Sequence, residues 1–412
     1  MYDRWYSPIL KKKLSRPYVH ILFGARQTGK STLLKSLLPE DMLFVDLADP
    51  EVRSRHLADS GLFAGMCRSL PEDKQGQVVF VDEVQLVVSI FDAVQSLYDQ
   101  DKLRWRFVLC GSSARKLRKL GANLLPGRSF LHHLYPLTMI ELPSIDRPMA
   151  YAQSPLPFPW SEDEVSQNVF PNWDLMTRLA FGALPGIVTA ASEDRVDLLR
   201  SYTSIHLEEE IRREALVKDW GSFVRFLGLA ASESGQSVNY AAISQEAGIT
   251  APTVKSYYQL LEDMFVGFQV LAYSKSPRKN LLSTSKFLFF DLGVRHAAAG
   301  LVPSIELVKS QPGVIFEQWV GIELWKRLQY VGQGRLCYQR TKSGFEVDYI
   351  LDLPDRVVPI EVKWTDKPTL KDARHIVTFC REHGCDHGYV VCRCPHPVRL
   401  NDQVTALPWF CL

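Results

Sequence analysis

Residues 18–38 read YVHILFGARQTGKSTLLKSLL. An apolar run from Tyr18 to Phe23 passes into Gly24-Ala25-Arg26-Gln27-Thr28-Gly29-Lys30-Ser31, and Lys30 to Leu38 then carries a helical pattern. This spells a buried strand, a loop of the form G-x-x-x-x-G-K-[ST], and a helix. In such a loop the glycines let successive backbone N–H groups turn inward around phosphate oxygens, while the helix points its positive end at the same anion. Lys30 is placed to reach the β and γ oxygens, and Ser31 to offer an oxygen to Mg²⁺. Gly24 through Thr32 are therefore the candidate nucleotide-binding positions.

The neighbouring segments extend this reading. Met42 to Leu47, Val78 to Val81 and Trp105 to Cys110 are short β-rich runs, and Ile90 to Tyr98 is helical in pattern, so the first third predicts a mainly parallel α/β sheet. The strand at Val78 ends in Asp82-Glu83. Asp82 is expected to hold the magnesium ion through water and Glu83 to polarise the attacking water as general base. The strand at Trp105 ends in Gly111-Ser112-Ser113, which puts a hydroxyl at the carboxyl edge of the sheet where a sensor of the γ-phosphate would stand, although Ser113 also suits a helix N-cap. Arg128, in Leu125-Pro126-Gly127-Arg128, is a candidate for stabilising transition-state charge in a neighbouring subunit, the alternative being a surface ion pair.

Composition sets the limits. The chain has 412 residues, 46% hydrophobic and 23% charged, which suits a folded chain of about three domains. Its 48 Lys and Arg against 46 Asp and Glu give a net charge of +2, so any nucleic-acid contact must come from local clusters. No apolar run approaches the ~18 residues that cross a bilayer, and the first residues lack a leader pattern. Eight cysteines, with no C-x-x-C pair, predict free thiols in a reducing cytoplasm.

The motifs GARQTGKS, VVFVDEVQ, FVLCGSSARKL, LLPGR and LYPLTMIEL, continued by FGALPG, EEEIRREALVKD, KFLFFDLGVRHAAAG, FEQWVGIEL and EVDYILD…PIEVKW, resemble the bacterial and archaeal AAA-like P-loop ATPases that carry a carboxy-terminal restriction-endonuclease-like domain. The resemblance covers nearly the whole chain and weakens between about residues 141 and 172. It implies an α/β protein with an AAA-like ATPase core over 1–145, a Pro-rich connection and helical lid over 146–232, a winged-helix-like segment over 233–305 and a restriction-endonuclease-like domain over 306–412.

Two later segments carry chemistry of their own. Residues 239–264 read NYAAISQEAGITAPTVKSYYQLLEDM, a short helix, a turn at Gly248, an N-cap at Thr250 and a second helix. Val254, Tyr257, Tyr258 and Leu261 face the core at helical spacing, leaving Thr253, Lys255, Ser256 and Gln259 outward where a recognition helix presents its reading groups. Lys275, Arg278, Lys279 and Lys286 are expected to add positive charge on a wing or adjoining loop, unless the module merely packs its neighbours. After a helix around Phe316 to Tyr330, the stretch RTKSGFEVDYILDLPDRVVPIEVKW reads as a hairpin: Val347 to Leu351, a turn at Pro354-Asp355-Arg356, and Val357 to Trp364. Alternation puts Glu361 and Lys363 on one face, where Asp348 of the neighbouring strand can meet them. Asp348 and Glu361 are candidate ligands of Mg²⁺, and Lys363 a candidate for orienting the attacking water, with Glu317 or Glu323 as a further carboxylate. The alternative is a domain that keeps this fold only for binding or oligomer contacts. The Cys- and His-rich stretch at 380–396 matches no usual zinc spacing, and Val390, Cys392 and Cys394 alternate as buried strand residues do.

Together these features predict an ATP hydrolase acting on DNA through a metal-dependent nuclease-like domain. The alternative is an ATP-dependent switch that assembles with a protein partner. ATP and Mg²⁺ are the expected ligands, DNA and further copies of the chain the expected partners, with no membrane.

Overall fold

The structure, a computed structural model, describes residues 4–72, 75–112, 125–142, 170–207, 211–212, 219–274, 284–341 and 344–412. Two compact units form, one on residues 3–135 with 263–265, the other on 136–262 with 266–412. Ser113, the Pro-rich connection at 146–169, most of the charged stretch at 208–218, and Lys275, Arg278 and Lys279 lie outside the described residues.

In the first unit β1 (Val19–Phe23), β2 (Leu43–Asp46), β3 (Gln77–Asp82), β4 (Trp105–Gly111) and β5 (Ser129–His133) make one parallel sheet in the order β2-β3-β4-β1-β5. The continuous apolar runs arise because β1 and β3 are buried along their whole length. Phe23, Phe63, Phe80, Phe91 and Phe107 fill the core. Helices Lys30–Leu37 and Ser89–Gln100 fall where the pattern predicts, while β5 and the helices Pro50–Ala58 and Leu62–Arg68 add to it. With β4 lying between β1 and β3, the carboxyl ends of three adjacent strands converge on one crevice.

At the side of β5, His132 Nε2 lies 3.2 Å from His20 Nδ1, and Tyr6 Oη lies 3.4 Å from His132 Nδ1. Burial, then the charges of His20, Lys13 and His133, push the His132 pKa down to about 3 from 6.5. The unfolded chain takes up a proton here below pH 6.5 that the folded chain refuses. Stability from this site is therefore complete above pH 6.5 and declines as the pH falls toward 3. Between pH 7.5 and 5.0 it is expected to cost about 2 kcal/mol. Urea unfolding at the two pH values checks this: His132→Gln should show a smaller acid loss than wild type, and equal losses would remove His132 as the cause.

In the second unit the strands β6 (Gly267–Ala272), β7 (Lys286–Phe289), β8 (Arg335–Arg340), β9 (Glu346–Asp352), β10 (Val357–Val362), β11 (Gly388–Cys392), β12 (Val398–Arg399) and β13 (Val404–Pro408) form an eight-stranded mixed sheet in the order β12-β13-β11-β10-β9-β8-β6-β7. Helices Tyr240–Ala247 and Ala251–Asp263 meet at a turn where Gly248 is left-handed, and Thr250 Oγ1 accepts from the Thr253 amide. Val254, Tyr257, Tyr258 and Leu261 are buried, whereas Lys255, Ser256 and Gln259 are exposed. The following β6–β7 pair is antiparallel, and β6 also runs parallel to β8, so both belong to the large sheet.

The long helix Pro312–Val331 packs its apolar residues Phe316, Val320 and Leu324 into this unit's core. It also buries charge. Glu323 binds Lys326 Nζ at 3.0 Å and Arg327 Nε at 2.9 Å, and accepts from the Met139 amide at 2.9 Å. Lys326 Nζ donates to the Leu137 carbonyl at 2.6 Å, and Arg327 Nη2 to the Leu412 carbonyl at 2.5 Å. The LYPLTMIEL segment and the last residue are thus both tied to one helix. All eight cysteines are free and buried, with Val390, Cys392 and Cys394 fully enclosed. Among the described residues no helix is long and apolar enough to cross a membrane.

Candidate functional site

The crevice at the carboxyl edge of the parallel sheet is built first by the turn after β1. Gly24 is mandatory there, because a Cβ on it would meet the Leu134 carbonyl oxygen at 2.2 Å. Gln27 and Gly29 both take positive φ (60° and 87°), which curls the loop before the helix begins at Lys30. Thr28 Oγ1 donates to the Ala25 carbonyl at 2.9 Å, and Arg4 donates to the Thr28 carbonyl at 2.7 Å and the Tyr135 carbonyl at 2.8 Å. The loop is held from inside and from a distant point in the chain. Lys30 is buried and donates to the carbonyls of Gly24 and Ala25, each at 2.9 Å, so its ammonium sits within the loop. Ser31 and Arg26 are half-buried, and Gln27 and Thr32 exposed.

Asp82 ends β3 and is buried, with Oδ1 accepting from the Glu83 amide at 3.0 Å. Cys110 of the neighbouring strand lies beside it. Burial, then the Asp82 carboxylate, drives the Cys110 thiol far above its ordinary range, so it stays a neutral floor to the site. Glu83 adopts a left-handed backbone (φ 54°), an uncommon conformation for a non-glycine residue that turns its side chain out of the strand direction. Its carboxylate accepts from Gln85 Nε2, which also reaches Ser112 Oγ at 3.1 Å. Gln85 is buried, and a Cβ on Gly111 would lie 2.4 Å from its Oε1. Gln85 thus joins the acid at the end of β3 to the hydroxyl at the end of β4. The DEVQ spacing held the only sequence clue to it, a polar residue two positions past the acid.

Arg128 stands elsewhere. It precedes Ser129, which pairs with Val19 at the amino edge of the sheet, and its Nε donates to Asp99 at 2.6 Å. The surface ion pair is thus formed, and it leaves the role in a neighbouring subunit untouched.

The second cluster lies in the eight-stranded sheet. The β9–β10 ladder pairs Ile360 with Tyr349, so Glu361 and Asp348 are opposite one another one position further along. Asp348 Oδ2 accepts from the Val362 amide at 2.8 Å, and Glu361 Oε1 binds Lys363 Nζ at 2.7 Å with His375 Nδ1 at 3.9 Å. Glu361 Oε2 is buried and has no hydrogen-bond partner among the described residues. Burial, then the Asp348 charge, raises Glu361 to about 8, and the same two causes raise Glu317 to about 7; burial also raises Asp348. A divalent cation fits this donor set, since crowded, buried carboxylates with an unpaired oxygen gain most from a positive ion. Among the described residues no group of three or more His, Cys, Asp and Glu side chains is gathered at metal-holding range.

Two expectations change here. Glu323, offered with Glu317 as the further carboxylate, is consumed by Lys326, Arg327 and the Met139 amide; Glu317 is the one whose charge reaches Asp348. Lys286, expected on a charged wing, is 3% exposed and bridges Glu317 at 3.3 Å and Glu346 at 3.1 Å. Burial alone would weaken its hold on the proton, and these carboxylates reverse that. It sits at the start of β7 facing the sheet, where an unpaired ammonium would be too costly.

Residues 16–142 match a family described as AAA domain, residues 172–304 one described as Domain of unknown function (DUF8612), and residues 312–412 one described as Domain of unknown function (DUF4143). An uncharacterized protein of Mycobacterium tuberculosis is 22% identical over 399 residues, covering 97% of this chain and 82% of its own. One of Haemophilus influenzae is 22% identical over 366 residues, covering 84% of this chain and 82% of its own. A solved structure of PCH-2 from C. elegans is 12% identical over 64% of this chain and 69% of its own, with a TM-score of 0.28, a score that carries nothing about the fold. The AAA-domain match and the parallel amino-terminal sheet together support an AAA-like ATPase.

Proposed function

We propose that the chain hydrolyses ATP in the crevice at the carboxyl ends of β1, β4 and β3 and uses that turnover to act on DNA, with Asp348, Glu361 and Lys363 forming a metal-dependent nuclease site. The observation that supports it most is the convergence of Lys30, Asp82, Glu83 and Ser112 at the ends of three adjacent strands. Gly24 to Thr32 would take the phosphates, with Lys30 leaving its loop carbonyls for the β and γ oxygens. Ser31 and Asp82 would hold Mg²⁺, which neutralises charge developing on those oxygens. Glu83 would accept the proton of the attacking water, while Gln85 keeps its carboxylate turned toward Ser112. In the second site Asp348 and Glu361 would hold the divalent cation that activates water against a phosphodiester, and Lys363 would orient that water. The exposed Lys255, Ser256 and Gln259 would face the DNA.

Asp348→Asn and Lys363→Ala are the direct test. Each is expected to abolish Mg²⁺- or Mn²⁺-dependent nicking while leaving ATP hydrolysis within about twofold of wild type. Intact DNA after incubation of wild type with either metal would remove the nuclease assignment. One observation favours the second reading, a partner-binding switch: Lys286 already neutralises Glu317 and Glu346 beside the candidate site. Stimulation of ATPase activity by DNA separates the two, since a switch read by a protein has no reason to respond.

A further inference from the structure

The nuclease reading leaves Lys286 without a task. It opens β7, where its backbone is held on both sides, pairing with Val270 of β6 and bridging to Ser237. Its ammonium stands 5.1 Å over the centre of the Tyr338 ring, 3.3 Å from Glu317 Oε1 and 3.1 Å from Glu346 Oε1. A lysine held in this way does not swing out to solvent, because it is buried and its departure would strand two carboxylates. Lys363 differs, since it follows the end of β10 with 36% of its side chain exposed and can turn between Glu361 and water. Glu317 and Glu346 also keep part of their side chains open, 29% and 32%, on the wall of a cavity of about 320 Å³.

Two carboxylate oxygens at nearly equal distance from one point make a cation position, and the ammonium fills it. Mg²⁺ takes oxygen ligands at about 2.0–2.1 Å, so a shift of about 1 Å by each acid would close the same pair on a metal. Two-metal sites hold their ions roughly 3.5–4 Å apart and need carboxylates for both. Here the charge is matched to one ion. Glu317, Glu346, Asp348 and Glu361 carry four negative charges against two positive on Lys286 and Lys363, and a single divalent cation supplies the difference. Arg340 adds little, since it is exposed and meets Glu346 only at 3.7 Å, and His375 stands 3.9 Å from Glu361. Among the described residues no third acid is gathered with Asp348 and Glu361 at metal-holding range. We propose that the Lys286 ammonium is a fixed stand-in for a second metal ion: it occupies the cation position between Glu317 and Glu346, so that Asp348 and Glu361 work with a single divalent cation. This rests on the nuclease reading and sets how many ions that site takes. Lys286 is a positioning residue, acting through the two glutamates and not on the phosphodiester.

The test counts Mn²⁺ on the full chain without nucleotide, from the electron paramagnetic resonance of the free ion, with thermal melts alongside. Wild type should bind one Mn²⁺ that Asp348→Asn does not. Lys286→Met nearly keeps the length of the side chain and removes its charge, so it should bind one Mn²⁺ more than wild type. In EDTA it should melt lower by on the order of 10 °C, with Glu317 and Glu346 unbalanced, and saturating Mn²⁺ should close that gap. Loss of a merely structural lysine would lower the midpoint without adding an ion. A Lys286→Met variant that binds no further Mn²⁺, or that stays unfolded with the metal present, overturns the proposal. Two Mn²⁺ on wild type, both lost in Asp348→Asn, also overturn it while leaving the nuclease site standing. If Asp348→Asn binds as much Mn²⁺ as wild type, the metal site and the nuclease reading fall together, and this inference with them.

Discussion

Replacing Glu83 with glutamine is expected to stop ATP turnover without releasing the nucleotide. A positioned general base contributes roughly 10²- to 10⁴-fold to a proton-transfer step, and glutamine keeps the shape while losing the ability to accept the proton. The structure sharpens the expectation, because Glu83 is held by an unusual backbone angle and by the Gln85 amide. Hydrolysis should fall by about a hundredfold or more, with ATP affinity changed less than about threefold. Lys30→Ala should lose binding and turnover together, since its ammonium sits inside the loop that would receive the phosphates. Steady-state release of phosphate and calorimetric titration with a slowly hydrolysed ATP analogue check both variants. If Glu83→Gln retains wild-type turnover, the acid at the end of β3 is not the base and the assignment of the crevice fails at its central step. Gln85→Ala should lie between, because the carboxylate would remain but lose its donor and its link to Ser112.

The second large effect is on stability. Glu323→Ala should destabilise the second unit by about 3–5 kcal/mol, because it strands Lys326 and Arg327 as buried, unbalanced cations and leaves the Met139 amide without its acceptor. Against a total of roughly 5–15 kcal/mol, that approaches unfolding. The pH dependence follows from the same contacts. Burial by itself would raise the Glu323 pKa, but Lys326 and Arg327 overturn this and hold it down to about 2, against 4.5 unfolded. Its stabilisation is therefore fully present above pH 4.5 and is lost as the pH falls toward 2, amounting to about 3 kcal/mol. Denaturant melts at pH 7 and pH 3 should show wild type approaching the Glu323→Ala variant in acid. A variant as stable as wild type at pH 7 would show that the buried network is energetically neutral.

What the sequence makes legible follows how each signal is generated. β1, β3 and β4 are enclosed on both faces, so their apolar runs stand out, and the phosphate loop is fixed by residue types that the turn itself requires. β5 is half-exposed, with Leu131 in solvent and two histidines in five residues, and such an edge strand shows no clear period. The D…E-x-K pairing is readable because strand alternation alone puts Asp348 opposite Glu361. Lys286 and Glu323 mislead for a common reason. Lys286 reads as a wing cation and Glu323 as a metal-binding acid, and only the fold shows that Glu317 and Glu346 neutralise the one and Lys326 and Arg327 the other. Gln85 escapes notice because glutamine has no characteristic spacing; what marks it is its enclosure beside Ser112.

The parallel seam between β6 and β8 has one more result. It joins the strand pair that follows the helices at 240–263 to the strands bearing Asp348 and Glu361 in one continuous sheet, so the two cannot be parted without opening backbone hydrogen bonds. A fragment cut to begin near residue 312 would leave β8 with a raw, sticky border.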